Sequence, residues 1–472
     1  MSTTTKLASS PSKAAHVIVV GSGSAGLSAA SQLVDRGVAV HLLERSAKTG
    51  GNSIKASSGI NGAGTKFQSV PDTSFYDDTV RSAGAALASA ARQEPRQKLI
   101  ETLTNSSKSA VYWLVDDKGV DLSRVAQLGA HSVPRTHRGS GQTPPGAAII
   151  TTLMNSLKSN PLFRVDTGCL VTKVLQSENE VVGVEYTSEG ETKADQGPVI
   201  FASGGFAGDA NGMLAQYRPD LAGFPSTNEA REGSQKLLTN VGAQLLDMDL
   251  VQVHPTSFVD PKDALNPAKF LAGELLRGEG GILLLNGKRF VNEMESRKYV
   301  TNVIVGTPQV DASPRQWDVQ LVLDEDTHKR VADHVGFYVW KGLMHKTTVA
   351  ELGPSALSSL QEYAEIATGR TPDPFGRKSF GHWSLSDVKP DSVIYTGRVT
   401  PATHFTMGGV TINEHSEVLN AEAKPIKGLW AAGEISGGIH GDNRLGGSSL
   451  LECVVFGRIA GDQAAEYLSR QA

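Results

Sequence analysis

The segment HGDNRLGGSSLL, residues 440–451, sets one arginine, Arg444, beside glycines and serines small enough to let backbone N–H groups approach a ligand. An arginine fork in such a setting recognises a carboxylate or phosphate through two parallel hydrogen bonds. The competing reading is a glycine-rich turn with a solvated arginine, ahead of a helix that starts at Ser448. Other groups able to hold an anion or carry a proton stand between residues 250 and 404: His254, Glu274 with Arg277, Glu293 with Arg297, and His404. On helices, acids three or four residues before arginines form surface ion pairs worth only a few tenths of a kcal/mol, and that is the plain alternative for both pairs. A loop dense in His and Arg, residues 129–138, offers His131 and His137 either for catalysis or as lining of a cofactor cleft.

These groups need elements to hold them. Residues 16–20 are apolar and β-branched and run into GSGSAG, residues 21–26, followed by a helical pattern over 27–36. A second strand over 38–43 then ends at Glu44. Strand, glycine turn, helix and acid together predict a dinucleotide-binding unit, with the pyrophosphate at the helix N-terminus and the acid on the ribose hydroxyls. The stretch 49–61, rich in Gly, Ser and Asn, suits the edge of a flavin ring better than a nicotinamide site. Residues 75–115 read as scaffold helices. Between 162 and 202 the pattern alternates as strands and ends in a second glycine turn, ASGGF, which brings backbone against a long dinucleotide. The βα alternation lapses over 250–404 and resumes with LWAAGE, so the fold class expected is α/β: a Rossmann-like FAD-binding domain in two parts, 16–249 and 405–472, with an inserted α+β capping domain over 250–404. Residues 311–395 show no chemistry. The final helix, from Ser448 to Leu468, would aim its positive end at the flavin's pyrimidine edge.

The composition excludes several classes. A net charge of -4 with 20% charged residues and no basic run argues against a nucleic-acid partner. Cys169 and Cys453 lie far apart without a CxxC pattern, so no iron–sulfur cluster, attached haem or zinc site is expected, and both read as buried and inert in a reducing compartment. No apolar run reaches the roughly 18–20 residues of a membrane span, which predicts no membrane partner. Residues 1–15 read as a flexible tail. A soluble, intracellular protein is expected, in cytoplasm or an organelle.

Taken in order, GSGSAG, GGNSIKASSGING, ASGGF, QVHPTSF, GELLRGEGG, RFVNEMESRKYVT, THFTMGG, LWAAGE and HGDNRLGGSSLLECVVFGR resemble the FAD-dependent soluble fumarate reductases of yeast and trypanosomatid type, within the fumarate reductase/succinate dehydrogenase flavoprotein family. The resemblance covers nearly the whole chain from His16. It implies that fumarate is reduced to succinate by hydride from reduced FAD. His254, His404 and Arg444 would bind the two carboxylates, helped by Ser58, Gly273 and Gly447. Arg297 would donate the proton, with Glu274 and Arg277 returning one to it. FAD would lie along Gly21, Gly23, Ala25, Gly26, Glu44, Arg45, Gly51, Asn52, Ser53, Ser57 and Ser58. Its path would continue over Val171, Ser203, Gly204, Glu232, Phe405, Gly433, Glu434, Ser449 and Leu450.

Three positions depart from that pattern. Asn52 stands where membrane-bound relatives carry the histidine that bonds covalently to FAD, implying non-covalent flavin. Gly273 replaces a threonine that contacts substrate in some relatives. In a shortened loop, Glu232 takes the place of an aspartate in a Thr-Gly-Asp-Gly turn. Without a haem or cluster motif, electrons would come from an external donor, either free reduced flavin or a reductase domain or partner. An aspartate oxidase-like enzyme or a non-catalytic flavin electron carrier are the alternative readings of the same fold.

Overall fold

The computed structural model describes residues 16–87 and 90–471; the expected tail, residues 1–15, lies outside the described residues. The β-branched strand His16–Val20 pairs in parallel with Ala39–Glu44 on one side and Val199–Phe201 on the other. Parallel pairing extends outward to Phe163–Thr167 and Pro425–Ala431. The sheet therefore takes strands from both ends of the chain. An antiparallel meander, Leu170–Ser177, Glu180–Ser188 and Glu191–Gln196, continues it, and Glu417–Leu419, antiparallel to Pro425–Ala431, brings it to nine strands. Val17, Ile18 and Val19 are fully buried, as strands covered on both faces require.

The helix Ser24–Asp35 packs against the C-terminal helix Ser448–Gln471. A Cβ at Gly457 would sit 2.5 Å from the carbonyl oxygen of Ala25, so the absence of a side chain there lets the two helices touch backbone to backbone. Gly461 repeats the close approach, a Cβ there falling 2.8 Å from the Ala29 carbonyl oxygen, and Leu27, Leu33, Val454 and Phe456 are fully buried in the surrounding core, each such side chain contributing roughly 1.5–3 kcal/mol.

A second, antiparallel sheet of seven strands is built from residues 251–406, around Val251–Phe258 and Val393–Thr406. Helices Ala332–Trp340 and Pro354–Ala367 cover it through separate apolar clusters. The boundary expected at 404/405 falls inside the continuous strand Val393–Thr406, whose last residue still pairs with Val251. Nothing in the motif THFT marks a break, because the chain crosses between the two parts as an unbroken strand. Among the described residues no helix is long and apolar enough to cross a membrane.

Candidate active site

Between the two sheets runs a cleft of about 1610 Å³, open mouth included, lined from Val20 in the first strand to Cys453 in the last helix. At one end lies the first glycine turn. Gly21, Gly23 and Ala25 line the cleft, but Gly26 does not; a Cβ at Gly26 would fall 1.9 Å from the Gly21 carbonyl oxygen, so its role is to let the helix close on the turn. Glu44 also lines the cleft, and its carboxylate accepts from Ser22 N at 2.9 Å, Ser22 Oγ at 2.5 Å and Ser46 N at 2.8 Å. Those bonds tie the second strand's end to the glycine turn.

Arg45 lines the same end, its guanidinium lowered to about 10 by burial and by the nearby Arg231. Glu232 stands apart from these residues. Its side chain is exposed and absent from the cleft wall, and only its carbonyl takes part, accepting from Arg45 Nη1 at 2.9 Å. In this irregular loop the backbone turns the acid outward and places Arg231 in the wall instead.

Further along, Gly51, Asn52, Ser53, Ser57, Ser58, Val171, Ser203 and Gly204 line the cleft as expected positions, with Lys55, Gly59, Thr227, Asn228, Lys269 and both cysteines as additional ones. Asn52 donates to Asn228 Oδ1, and Asn228 in turn donates to the carbonyl of His404 at 2.8 Å. That chain of amides joins the loop of residues 49–61 to the second sheet. Phe405, Gly433, Glu434, Ser449 and Leu450 complete the wall. Thr406 N and Oγ donate to Glu434 Oε1 at 2.9 and 3.2 Å, while burial and the charge of Glu452 raise the Glu434 carboxyl to about 7.

His404, Arg444 and Arg297 line the inner part of the cleft with Gly447. Arg444 is 2% exposed, its guanidinium lies 4.2 Å from the centre of the Phe405 ring, and its Nε has no partner among the described residues. Burial and the charge of Arg297 lower it to about 9, which leaves it a cation at neutral pH. The loop is shaped by Gly447, at φ +80°, where a Cβ would meet Asn61 Oδ1 at 2.3 Å. Asn61 Nδ2 donates to the Gly446 carbonyl at 2.8 Å, fixing the loop from below.

Arg297 opens the helix Arg297–Val305, capped by Ser296, whose hydroxyl accepts from Tyr299 N. Its partner is Glu274, through Nε at 2.6 Å and Nη2 at 2.5 Å, both on Oε2. Glu274 is 1% exposed; burial pushes its carboxyl up, but Arg297 and Arg277 outweigh burial and hold it below the usual carboxylate range. Arg277 Nη2 lies 3.7 Å from Glu274 Oε1, and its Nη1 donates to the Glu293 carbonyl at 2.6 Å. Neither pair is the surface ion pair of the plain alternative. Glu274 and Arg277 are buried, and Glu293 pairs with Arg289 and Arg377, because the helix bearing Arg297 begins only at that residue.

Some expected residues stand behind the wall. His254 is fully buried with its ring centre 5.3 Å from that of His404, its Nδ1 lies 2.8 Å from the Thr256 carbonyl, and its Nε2 has no partner among the described residues. Burial and Arg297 push both histidines well below their ordinary value, so both are neutral at pH 7. Gly273 is packed under the loop at Ser57, donating its N–H to Tyr338 at 3.2 Å. His131 and His137 do not line the cleft either. His131 supports it, Nε2 reaching the Gly446 carbonyl at 3.1 Å while Arg135 approaches Nδ1 at 3.1 Å. Burial and Arg135 lower its value to about 4, so the neutral ring donates to Gly446.

Two residues carry the geometry without a sequence signal of their own. Gln252 accepts from Arg297 Nη1 at 2.9 Å and donates to the Arg444 carbonyl at 2.9 Å, joining the two arginines. Its place two residues before His254, on the same face of one strand, was the available clue. Arg377, from a stretch expected to hold no chemistry, donates to Glu293 Oε2 at 2.9 Å and the Arg277 carbonyl at 3.1 Å.

A parallel sheet opening through a glycine turn into a helix, with a second sheet closing a long cleft over it, defines a dinucleotide-binding flavoprotein. The residues present fit FAD: Ser24 Oγ at the helix start and Arg444 Nε are buried on the cleft wall without partners among the described residues, and small side chains line its length. The family described as FAD binding domain matches residues 16–450. Fumarate reductase 1 of Saccharomyces cerevisiae is 41% identical, covering 95% of this chain and 98% of that protein. Fumarate reductase of Schizosaccharomyces pombe is 40% identical over 97% and 90%. A solved flavocytochrome c3 fumarate reductase in its open conformation superposes with a TM-score of 0.74 at 30% identity, over 97% of this chain and 79% of that one. The chain belongs to the fumarate reductase family of FAD-binding oxidoreductases.

Proposed function

We propose that this protein reduces fumarate to succinate, with residues 250–404 acting as the cap over an FAD-binding unit and Asn52 leaving the flavin non-covalent. The observation that carries this reading is the convergence of Arg444, Arg297 and His404 on the inner cleft, with Glu274 directly against Arg297. Bound and reduced, FAD supplies the hydride that one alkene carbon requires. The chain's own groups supply the rest. Arg444 and His404 hold one carboxylate, where negative charge gathers as the hydride arrives, and a cation there stabilises the transition state more than the ground state. His254, neutral and buried behind His404, orients that pair.

Arg297 gives the proton to the neighbouring carbon. A guanidinium with a pKa above ~12 is a weak acid, so donation requires a far more basic carbanion-like centre and prompt reprotonation. Glu274 provides the second condition. Ionised between two guanidiniums, it is a bridge rather than a store, taking a proton from Arg277 only as it passes one to Arg297. Arg277 Nη2 stands 3.7 Å from Glu274 Oε1, so that transfer requires the two groups to close to hydrogen-bond distance.

Electrons reach the flavin from outside, from free reduced flavin or a protein donor. The experiment is to bleach the holoprotein and follow flavin reoxidation by fumarate, a steroid enone and oxygen, and separately to ask whether aspartate bleaches the oxidised flavin. Fumarate must be much the fastest acceptor; bleaching by aspartate, or no reoxidation by fumarate, abandons the proposal. Supplying reduced FMN, FAD or viologen must sustain turnover, while NADH alone must not. Flavin released by acid into a protein-free filtrate supports non-covalent binding.

A further inference from the structure

Away from the cleft, His16, His41 and Asp195 bring one ligand atom each to within 4.8 Å of one another. His16 and His41 stand on adjacent parallel strands, and since His16 lies opposite Ala39, His41 two residues on shares its face. Arg164 and Asp166 fall on that face too, because Arg164 is the register partner of His41. Asp195 arrives from the strand Glu191–Gln196, which pairs with neither histidine strand. Its carboxylate lies 2.9 and 3.0 Å from His16 Nε2 and 2.6 Å from His41 Nδ1.

The second nitrogen of His41 decides the chemistry. His41 Nε2 faces Asp166 Oδ2 at 3.0 Å, and Asp166 is itself held by Arg164 Nη2 at 2.5 Å. A carboxylate therefore stands at each ring nitrogen of His41, and when Nε2–H donates to Asp166, Nδ1 and the Asp195 carboxylate turn lone pairs toward one place, where a second proton or a metal ion can lie. A carboxylate behind the distal nitrogen of a ligating histidine is the usual outer partner that fixes its tautomer. Arg164 balances one of the two aspartates, and the other remains for a cation. The side chain of His41 is 8% exposed and that of Asp195 14%, while His16 at 27% leaves an entry.

We propose that His16, His41 and Asp195 bind a late first-row divalent metal ion, with Asp166 orienting His41. Two imidazoles and a carboxylate with one open position suit zinc, and tetrahedral ligand lengths of about 2.0–2.2 Å require Asp195 to withdraw by roughly half to one ångström. The ion pins the outer meander to the parallel sheet. It lies on the order of 15 Å from the glycine turn, counted along the first strand, so it acts on stability and not on turnover.

The test uses metal-stripped holoprotein dialysed against zinc, with bound metal counted by mass spectrometry and thermal unfolding followed in parallel. One zinc per chain and a higher Tm are expected. Asp195→Asn and His16→Gln, both near the surface, lose that zinc and the Tm gain while keeping the flavin spectrum that shows them folded. Asp166→Asn weakens zinc roughly 10–100-fold. Absence of bound zinc in the wild type overturns the proposal, and so does zinc binding that survives both Asp195→Asn and His16→Gln.

Discussion

Arg297 lays Nε and Nη2 against one oxygen of Glu274, at 2.6 and 2.5 Å, so the group proposed to give the proton is hydrogen-bonded to the group proposed to restore it. Both are buried, and Gln252 holds the remaining side of the guanidinium at 2.9 Å. The pair therefore has one arrangement, set before substrate enters.

Replacing Arg297 tests the donor. Arg297→Lys keeps a cation beside Glu274 but not the fork, and turnover with fumarate should fall by several orders of magnitude while flavin absorbance persists. Single-turnover reoxidation of the reduced flavin is the measurement. Activity near wild type would remove Arg297 from the role.

Glu274→Gln keeps the shape and removes the charge between two guanidiniums. Loss of a proton-transfer group predicts a turnover deficit of roughly 100-fold or more. Breaking a buried ion pair also costs about 3–5 kcal/mol, to be read from urea unfolding. The sign of the pH effect follows from the lowered carboxyl: its stabilisation is present above the unfolded value of 4.5 and is lost as pH falls through the lower folded value. Wild type should show that acid-side loss and the glutamine variant should not.

Arg444→Gln should retain FAD and lose dicarboxylate. Truncating one member of a buried, hydrogen-bonded charge pair costs about 2–5 kcal/mol, a weakening of succinate by roughly 30-fold or more in a flavin-perturbation titration. Since the Arg444 guanidinium is lowered to about 9, succinate affinity in the wild type should decline as pH rises through that value. The variant has no such step.

Glu434 gives a pH dependence of opposite sense to Glu274. Its carboxyl is raised to about 7, so the folded protein prefers it neutral; the benefit is complete below the unfolded value of 4.5 and lost as pH climbs toward 7. Glu434 retains some access to the cleft, which screens the effect to on the order of 1–2 kcal/mol. Unfolding of flavin-free protein across that window should flatten in Glu434→Gln, and an unchanged slope would contradict the assignment.

The sequence by itself determined the local parts. His16–Val20, the turn at Gly21 and the helix behind it follow from β-branched periodicity and glycine spacing over a few residues, and so does the small-residue loop that carries Arg444. Only the tertiary structure decided which charges meet. Arg297 found Glu274 across 23 residues, Arg377 found Glu293 across 84, and His41 found Asp195 across 154. The outward turn of Glu232 and the bridge through Gln252 belong with these. Hydrogen bonding within a strand, turn or helix depends on near neighbours and leaves a periodic trace. The choice of partner for a buried charge depends on which strands and helices pack together, and no spacing along the chain records it.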